Sequence, residues 1–344
     1  MAKVLVTGAA GFIGSHVTRQ LVQQGRKVRA MVRPGEDTRN LDGLDVEQVQ
    51  GDILVPEQVE AAMAGCDTLY HLAAIYAIWM RDSTPIYDVN VRGSEIVLEA
   101  ARKHKLKKIV YTSSIAGVGL GTKDVPADEK TPWNYGWLAN AYIRSKYEGQ
   151  LVALRYARQG LPVVIVNPAF PFGDQDVAPT PTGQIMLNVL AGDVPGYIDG
   201  GINIIDVRDV AAGHLLAEKK GRIGETYILG HRNLTIHEFY QLVGRVAGMK
   251  VPDRRMPTAL AAGAAYLYEL VADRITHKPP PFTFKSVLVS SRYMFFDPSK
   301  AVQELGLELN PIEDALERAL DWFQTHGYAT NKSIGKGRPL NRVA

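Results

Sequence analysis

The sequence predicts an α/β fold, a doubly wound parallel sheet with a smaller C-terminal domain. Three observations predict it. Short apolar runs alternate with helical patterns through the first half of the chain. A glycine-rich turn, Gly8-Ala9-Ala10-Gly11-Phe12-Ile13-Gly14, joins the first run to the first helical pattern. After Pro168 the alternation gives way to a stretch rich in Pro and Gly. Strand–helix alternation of this kind means parallel strands joined by right-handed crossovers. Ligands in such sheets bind beyond the carboxyl ends of the strands.

The run from Lys3 to Val6 suits a buried strand, and Phe12, Ile13, Val17, Leu21 and Val22 then recur at helical spacing. The glycines therefore sit at a strand-to-helix turn. Glycine lets the backbone turn tightly and approach a ligand, and a helix start offers unpaired N–H groups and partial positive charge. Gly8, Gly11, Phe12, Ile13 and Gly14 make a pyrophosphate cradle of the Rossmann type. Further strands are expected at 27–33, 46–51, 67–72, 107–113 and 162–167, with helices near 57–64, 87–104 and 142–160. Residues 1–168 thus form a dinucleotide-binding domain.

Residues 169–201 carry Pro171, Pro179, Pro181 and Pro195 and read as long loops over a cleft. A strand–helix pair follows at 203–219, a strand at 226–229, and helices at 236–247, 258–275 and 311–326. Residues 169–328 are read as a mainly substrate-binding region interleaved with the end of the sheet. Residues 329–344 read as a disordered tail, or as a binding segment through Lys332, Lys336, Arg338 and Arg342.

The 344 residues carry a net charge of only +3, which points away from nucleic acid. The single cysteine, Cys66, excludes an internal disulfide and a cysteine-rich metal site, so no metal is expected. It also fits a reduced, cytoplasmic setting. No signal peptide is read, because the first residues enter a strand at once. The longest apolar stretch, 259–272, is too short to span a bilayer. It either packs on its own domain or rests on a membrane surface.

The second strand ends Val32-Arg33-Pro34. An NAD-specific site usually places a carboxylate here to bind the ribose 2′-hydroxyl. A carboxylate would repel a 2′-phosphate, whereas a guanidinium pairs with it. The cofactor expected is therefore NADP(H) rather than NAD(H), with Arg33 on the phosphate and Arg39 assisting; the alternative for Arg33 is a solvated strand-end charge. Asp52-Ile53, after the third strand, lies at the adenine, with Asp52 as acceptor or as a helix N-cap. Ala73 and Ala74 leave room for the cofactor after the fourth strand, and Asn167-Pro168 ends the sixth.

Tyr142 and Lys146 stand four apart at a helix start, hence on one face, and Ser113-Ser114 ends the fifth strand. Carbonyl reduction needs such a set. A phenol donates the proton, and a hydroxyl stabilises the developing oxyanion. A neighbouring lysine cation favours the phenolate and can also hold the nicotinamide ribose.

Thr7 to Gly14, Tyr111 to Ser114 and Tyr142 to Lys146 resemble the extended short-chain dehydrogenase/reductases, the NAD-dependent epimerase/dehydratase group, over about residues 1–328. The resemblance implies Ser114 as the catalytic serine, Tyr142 as acid/base and Lys146 as its partner. It also implies that Asn90 supports the lysine, the alternative being a polar residue on a helix face, and that the protein dimerises through helices near 90–104 and 142–159. Residues 28–34 and 166–168 are similar to the dihydroflavonol-reductase-like branch. His71 to Ala77, Pro179 to Gly183 and Ala211 to Leu215 are similar to proteins labelled hopanoid-associated sugar epimerases. Many sugar-nucleotide members carry Arg-Pro-x-x-x-Tyr-Gly-Pro after the sixth strand. Here Asn167 replaces the Arg and Phe172 the Tyr.

The segments expected to line the cleft are aromatic: Tyr76, Trp79, Trp133, Phe170 and Phe172. They suit a hydrophobic ketone or aldehyde better than a diphosphate. The expected activity is NADPH-dependent reduction of such a carbonyl. The alternatives are a nucleotide-sugar epimerase or dehydratase, and a non-catalytic NADP-sensing protein.

Overall fold

The computed structural model describes residues 3–329. A seven-stranded sheet, parallel throughout, has the order β3-β2-β1-β4-β5-β6-β9. Its strands are β1 (Lys3–Thr7), β2 (Lys27–Val32), β3 (Val46–Gln50), β4 (Cys66–His71), β5 (Lys108–Thr112), β6 (Val163–Pro168) and β9 (Thr226–Leu229). The order reverses at β1 and β4, which creates a crevice at their carboxyl ends. Both faces of the sheet are covered. Val4 and Val6 pack with Val17 and Leu21 of α1 (Phe12–Gln23) and Val210 of α7 (Val207–Lys220). Leu5, between them, belongs to the opposite core. There it joins Val59 of α2 (Pro56–Met63), Val97 of α4 (Ser94–Lys103) and Val152 of α5 (Ala141–Arg158). A strand's two-residue period thus feeds two cores.

The helix expected at 87–104 starts earlier, as α3 (Thr84–Tyr87), and passes through a π-helical turn (Asp88–Gly93) into α4. That turn carries the buried Asn90. The stretch 169–201 is not all loop. It holds β7 (Phe170–Phe172) and α6 (Pro181–Ala191). Thr180 caps α6 by accepting from Gly183 N–H, and Pro181 occupies the first turn, where its missing N–H costs nothing. β7 pairs with β8 (Gly201–Asp206), which also pairs with β10 (Arg232–Thr235) and β11 (Tyr293–Met294) in a second sheet. The remaining helices are α8 (Ile236–Ala247), α9 (Thr258–Val271), α10 (Phe284–Ser290) and α11 (Ile312–Thr325). The basic residues from Lys332 onward lie outside the described residues.

Two buried histidines bind the halves of this fold together. His71 sits 2.8 Å from Thr7 Oγ1 and 3.2 Å from Ser94 Oγ. His214 of α7 sits 2.9 Å from Thr112 Oγ1 and 2.7 Å from the Val210 carbonyl. Burial lowers both imidazoles from 6.5, to about 3 and about 4, so both are neutral in the folded protein. As pH falls from 6.5 the unfolded chain binds protons that the folded chain refuses, so stability drops through that window. The pair removes about 4 kcal/mol between about pH 7 and pH 5. Urea midpoints at the two pH values measure this. His214→Gln should lose less on acidification than the parent, and an equal loss would contradict the assignment.

Candidate active site

The glycine turn has no room for side chains. Gly8 has φ +69°, and a Cβ there would meet Ala73 N at 2.7 Å. A Cβ on Gly14 would stand 1.9 Å from the Gly8 carbonyl oxygen. β1, the loop after β4 and α1 therefore converge on bare backbone. α1 begins after Gly11 with no side-chain cap and no carboxylate in its first turn. Its leading N–H groups are free for an anion. This cradle fits the diphosphate of a nicotinamide dinucleotide.

Arg33 follows β2 and is exposed, with no ion pair among the described residues. Arg39, by contrast, is held by Asp37, with Nη2 2.6 Å from Oδ2, so its charge is already countered. Asp52 accepts from Leu54 N–H at 2.9 Å but does not cap α2, whose N-cap is Val55. Ile53 is buried, and its side chain lies against Gly93. Ala73 approaches Gly8, and Ala74 is exposed beside it.

At the far end of the crevice, Asn140 caps α5 by accepting from Ile143 N–H at 2.9 Å. The cap fixes the first turn, which carries Tyr142, and Lys146 follows one turn later on the same face. Ser114, just past β5, accepts from Ala116 N–H at 3.1 Å and lies beside the Tyr142 phenol. Ser113 is buried with an unpartnered Oγ. Burial pushes the Tyr142 phenol above its ordinary value, and the neighbouring Ser114 hydroxyl pulls it back down. Lys146 is buried and donates to the Thr112 carbonyl at 2.8 Å. Burial lowers its ammonium to about 8, so it stays largely charged near neutrality.

Asn90 makes no hydrogen bond to Lys146. It bonds both backbone groups of Ile75 at 2.8 and 3.0 Å and donates to Ser145 Oγ at 2.9 Å. It clamps the loop after β4 to α5. Asn167 is fully buried and donates at 2.7 Å to both the Ser114 carbonyl and Gln150 Oε1. It braces the Ser114 loop, while its own Oδ1 has no partner. Pro168 closes β6 next to it.

Tyr76 packs on Tyr142 with ring centroids 4.5 Å apart, and its hydroxyl lies 3.4 Å from Thr182 Oγ1 on α6. Trp133 stacks on Tyr147 at 4.4 Å and donates to the Ala116 carbonyl at 3.0 Å. Trp79 donates to Asp273 at 3.3 Å. Phe170 is half-buried. Phe172 departs from the expected cleft wall. It is 2% exposed and packs on Phe239 at 5.2 Å. Sequence reasoning missed Gln150 and Thr182. Gln150 stands four residues after Lys146 on the same helix face, a signal that was readable. Thr182 was hidden by the loop reading of 169–201.

A family model described as "NAD dependent epimerase/dehydratase family" matches residues 4–230. The chain belongs to this family. It is an NAD(P)-dependent oxidoreductase of the extended short-chain dehydrogenase/reductase type. A Synechocystis member named "Putative dihydroflavonol 4-reductase" is 40% identical over 327 residues, covering 94% of this chain and 95% of that protein. The "Sterol demethylase protein B" of Methylococcus capsulatus is 32% identical over 326 residues, covering 94% of this chain and 98% of that protein. Among solved structures, gox2253 superposes with a TM-score of 0.85 at 38% identity, covering 96% of this chain and all of that one. No helix among the described residues is long and apolar enough to cross a membrane.

Proposed function

We propose that this family member is an NADPH-dependent carbonyl reductase, reversible as an alcohol dehydrogenase, acting on a hydrophobic ketone or aldehyde. The observation that carries this reading is Tyr142 at the start of α5, packed on the ring of Tyr76 and beside Ser114, with Lys146 one turn further along the helix. Gly8, Gly11 and Gly14 with the start of α1 would hold the cofactor diphosphate. Arg33 would pair with its 2′-phosphate, and Lys146 would hold the nicotinamide ribose. When bound, the reduced nicotinamide supplies a hydride for the carbonyl carbon.

The remaining work falls to this chain's own side chains. Ser114 donates a hydrogen bond to the carbonyl oxygen and polarises it. Tyr142 delivers its phenolic proton to that oxygen as negative charge develops, which completes the alcohol. The Lys146 cation stabilises the resulting phenolate until it is reprotonated. Tyr76 and its aromatic neighbours exclude water and favour an apolar substituent. The reductase name of the Synechocystis relative supports the redox direction. The replacement of Arg and Tyr by Asn167 and Phe172 weighs against a nucleotide-sugar.

Assay of the purified protein with NADPH and NADH tests this, using hydrophobic ketones and aldehydes beside nucleotide-sugars. The expected result is faster reduction of an apolar carbonyl with NADPH. Arg33→Asp should move the NADPH/NADH ratio of kcat/KM towards NADH by about tenfold or more, the worth of one charge-assisted pair. An unaltered ratio removes Arg33 from the cofactor site.

A further inference from the structure

The helix that the apolar stretch forms turns its apolar side outward. α9 meets the rest of the protein through a narrow stripe at helical spacing, Ala262, Ala265, Glu269 and Ala272, where the three alanines are buried. The opposite side carries Leu260, Leu267 and Val271, and the π turn that follows (Ala272–Thr276) adds Ile275. Leu260 and Ile275 are 71% exposed and Leu267 is 61% exposed. Tyr266, Tyr268 and Phe282 stand exposed around them. A soluble surface helix has the reverse pattern.

The charges are sorted as well. Three acidic groups nearby hold partners within the protein. Glu269 accepts from Phe284 N–H at 2.9 Å, Asp273 from Trp79 at 3.3 Å, and Asp253 meets His237 at 2.5 Å. The cations Arg254, Arg274 and Lys278 are exposed, and none has an ion pair among the described residues. An apolar helix face edged with aromatic rings and unpaired cations is complementary to a bilayer surface with anionic headgroups.

We propose that α9 docks this protein on an anionic lipid surface, lying in the interface rather than crossing it. Its 14 residues span about 21 Å, short of the roughly 30 Å hydrocarbon core. A second copy of the chain fits less well. The footprint of one such helix is roughly 200–300 Å², well below the roughly 800 Å² per partner of a stable interface.

Docking here orients the active site. Asp273 is tied to Trp79 in the loop after β4, three residues from Tyr76. Lys285 of α10 donates at 3.1 Å to the carbonyl of Ala139, which adjoins the cap of the catalytic helix. The cleft mouth therefore stands next to the lipid, where apolar molecules partition. Docking itself does not depend on the reaction proposed above, and its test reads binding rather than turnover.

The experiment is vesicle flotation of the full chain with phosphatidylcholine vesicles, with and without phosphatidylglycerol. The protein should float with the anionic vesicles and be released by salt. Leu260→Glu/Leu267→Glu should weaken partitioning by about tenfold or more, since both side chains lose their apolar burial. Its thermal midpoint should be unchanged. Arg274→Glu/Lys278→Glu should abolish the preference for anionic vesicles. The proposal is overturned if the parent protein does not float, or if the leucine variant floats as well as the parent. It is equally overturned if the parent is a dimer that the leucine substitutions split.

Discussion

Tyr142→Phe is expected to cut turnover by about 10²–10⁴-fold, the usual worth of a positioned general acid, while NADPH binds as before. The substitution removes one oxygen and keeps the ring, so the packing on Tyr76 at 4.5 Å survives. What disappears is the proton donor beside Ser114. Burial already holds the phenol protonated well above neutral pH, so at neutrality the proton is present and available to a forming alkoxide. Single-turnover kinetics together with a fluorescence titration of NADPH separate the two effects. Retained turnover would move the acid role elsewhere. Weakened NADPH binding with turnover intact at saturation would make Tyr142 a cofactor residue instead.

Gly14→Ala is expected to raise the cofactor dissociation constant by about a hundredfold or more, equivalent to roughly 3 kcal/mol. The new methyl would lie 1.9 Å from the Gly8 carbonyl oxygen and 2.9 Å from its carbon, both backbone atoms of the same turn. Neither can yield without displacing the start of α1, whose uncapped N–H groups are the cradle. Thermal stability should fall too, because β1 and α1 lose their close contact. Gly263→Ala is the control. Its added methyl meets nothing within 4 Å in mid-helix, so it should leave binding alone and stabilise slightly. Equal affinity in Gly14→Ala and the parent would mean that the dinucleotide is held elsewhere.

The sheet was legible because its strands carry their burial locally. Val4, Leu5 and Val6 are all apolar, as a strand covered on both faces must be. The helix of Tyr142 and Lys146 was legible through the four-residue spacing that puts them on one face. Other features depend on contacts that no local pattern records. α6 was obscured by prolines that usually mark loops, although Thr180-Pro181 also begins a helix well. Asn90 stands on a π turn, and its bonds to Ile75 and Ser145 join segments that no local motif relates. Arg33 and Arg39 look alike in sequence, and only the Asp37 carboxylate distinguishes them. Phe172 reads as a cleft aromatic until the fold lays it against Phe239, a contact between elements far apart in sequence. The apolar run of α9 admitted a packed or a surface role, and its three buried alanines leave the larger side chains outside.

The central claim is that Ser114, Tyr142 and Lys146 serve net transfer of a hydride to an apolar carbonyl. It is tested most directly by following a label. NADPH carrying deuterium at the transferable position of its nicotinamide is incubated with the best ketone of the panel, and the product is analysed by mass spectrometry. The predicted result is one deuterium on the carbinol carbon for each NADPH oxidised, abolished in Tyr142→Phe. Conversion of a nucleotide-sugar with no net oxidation of cofactor, and no label entering any ketone, would contradict it.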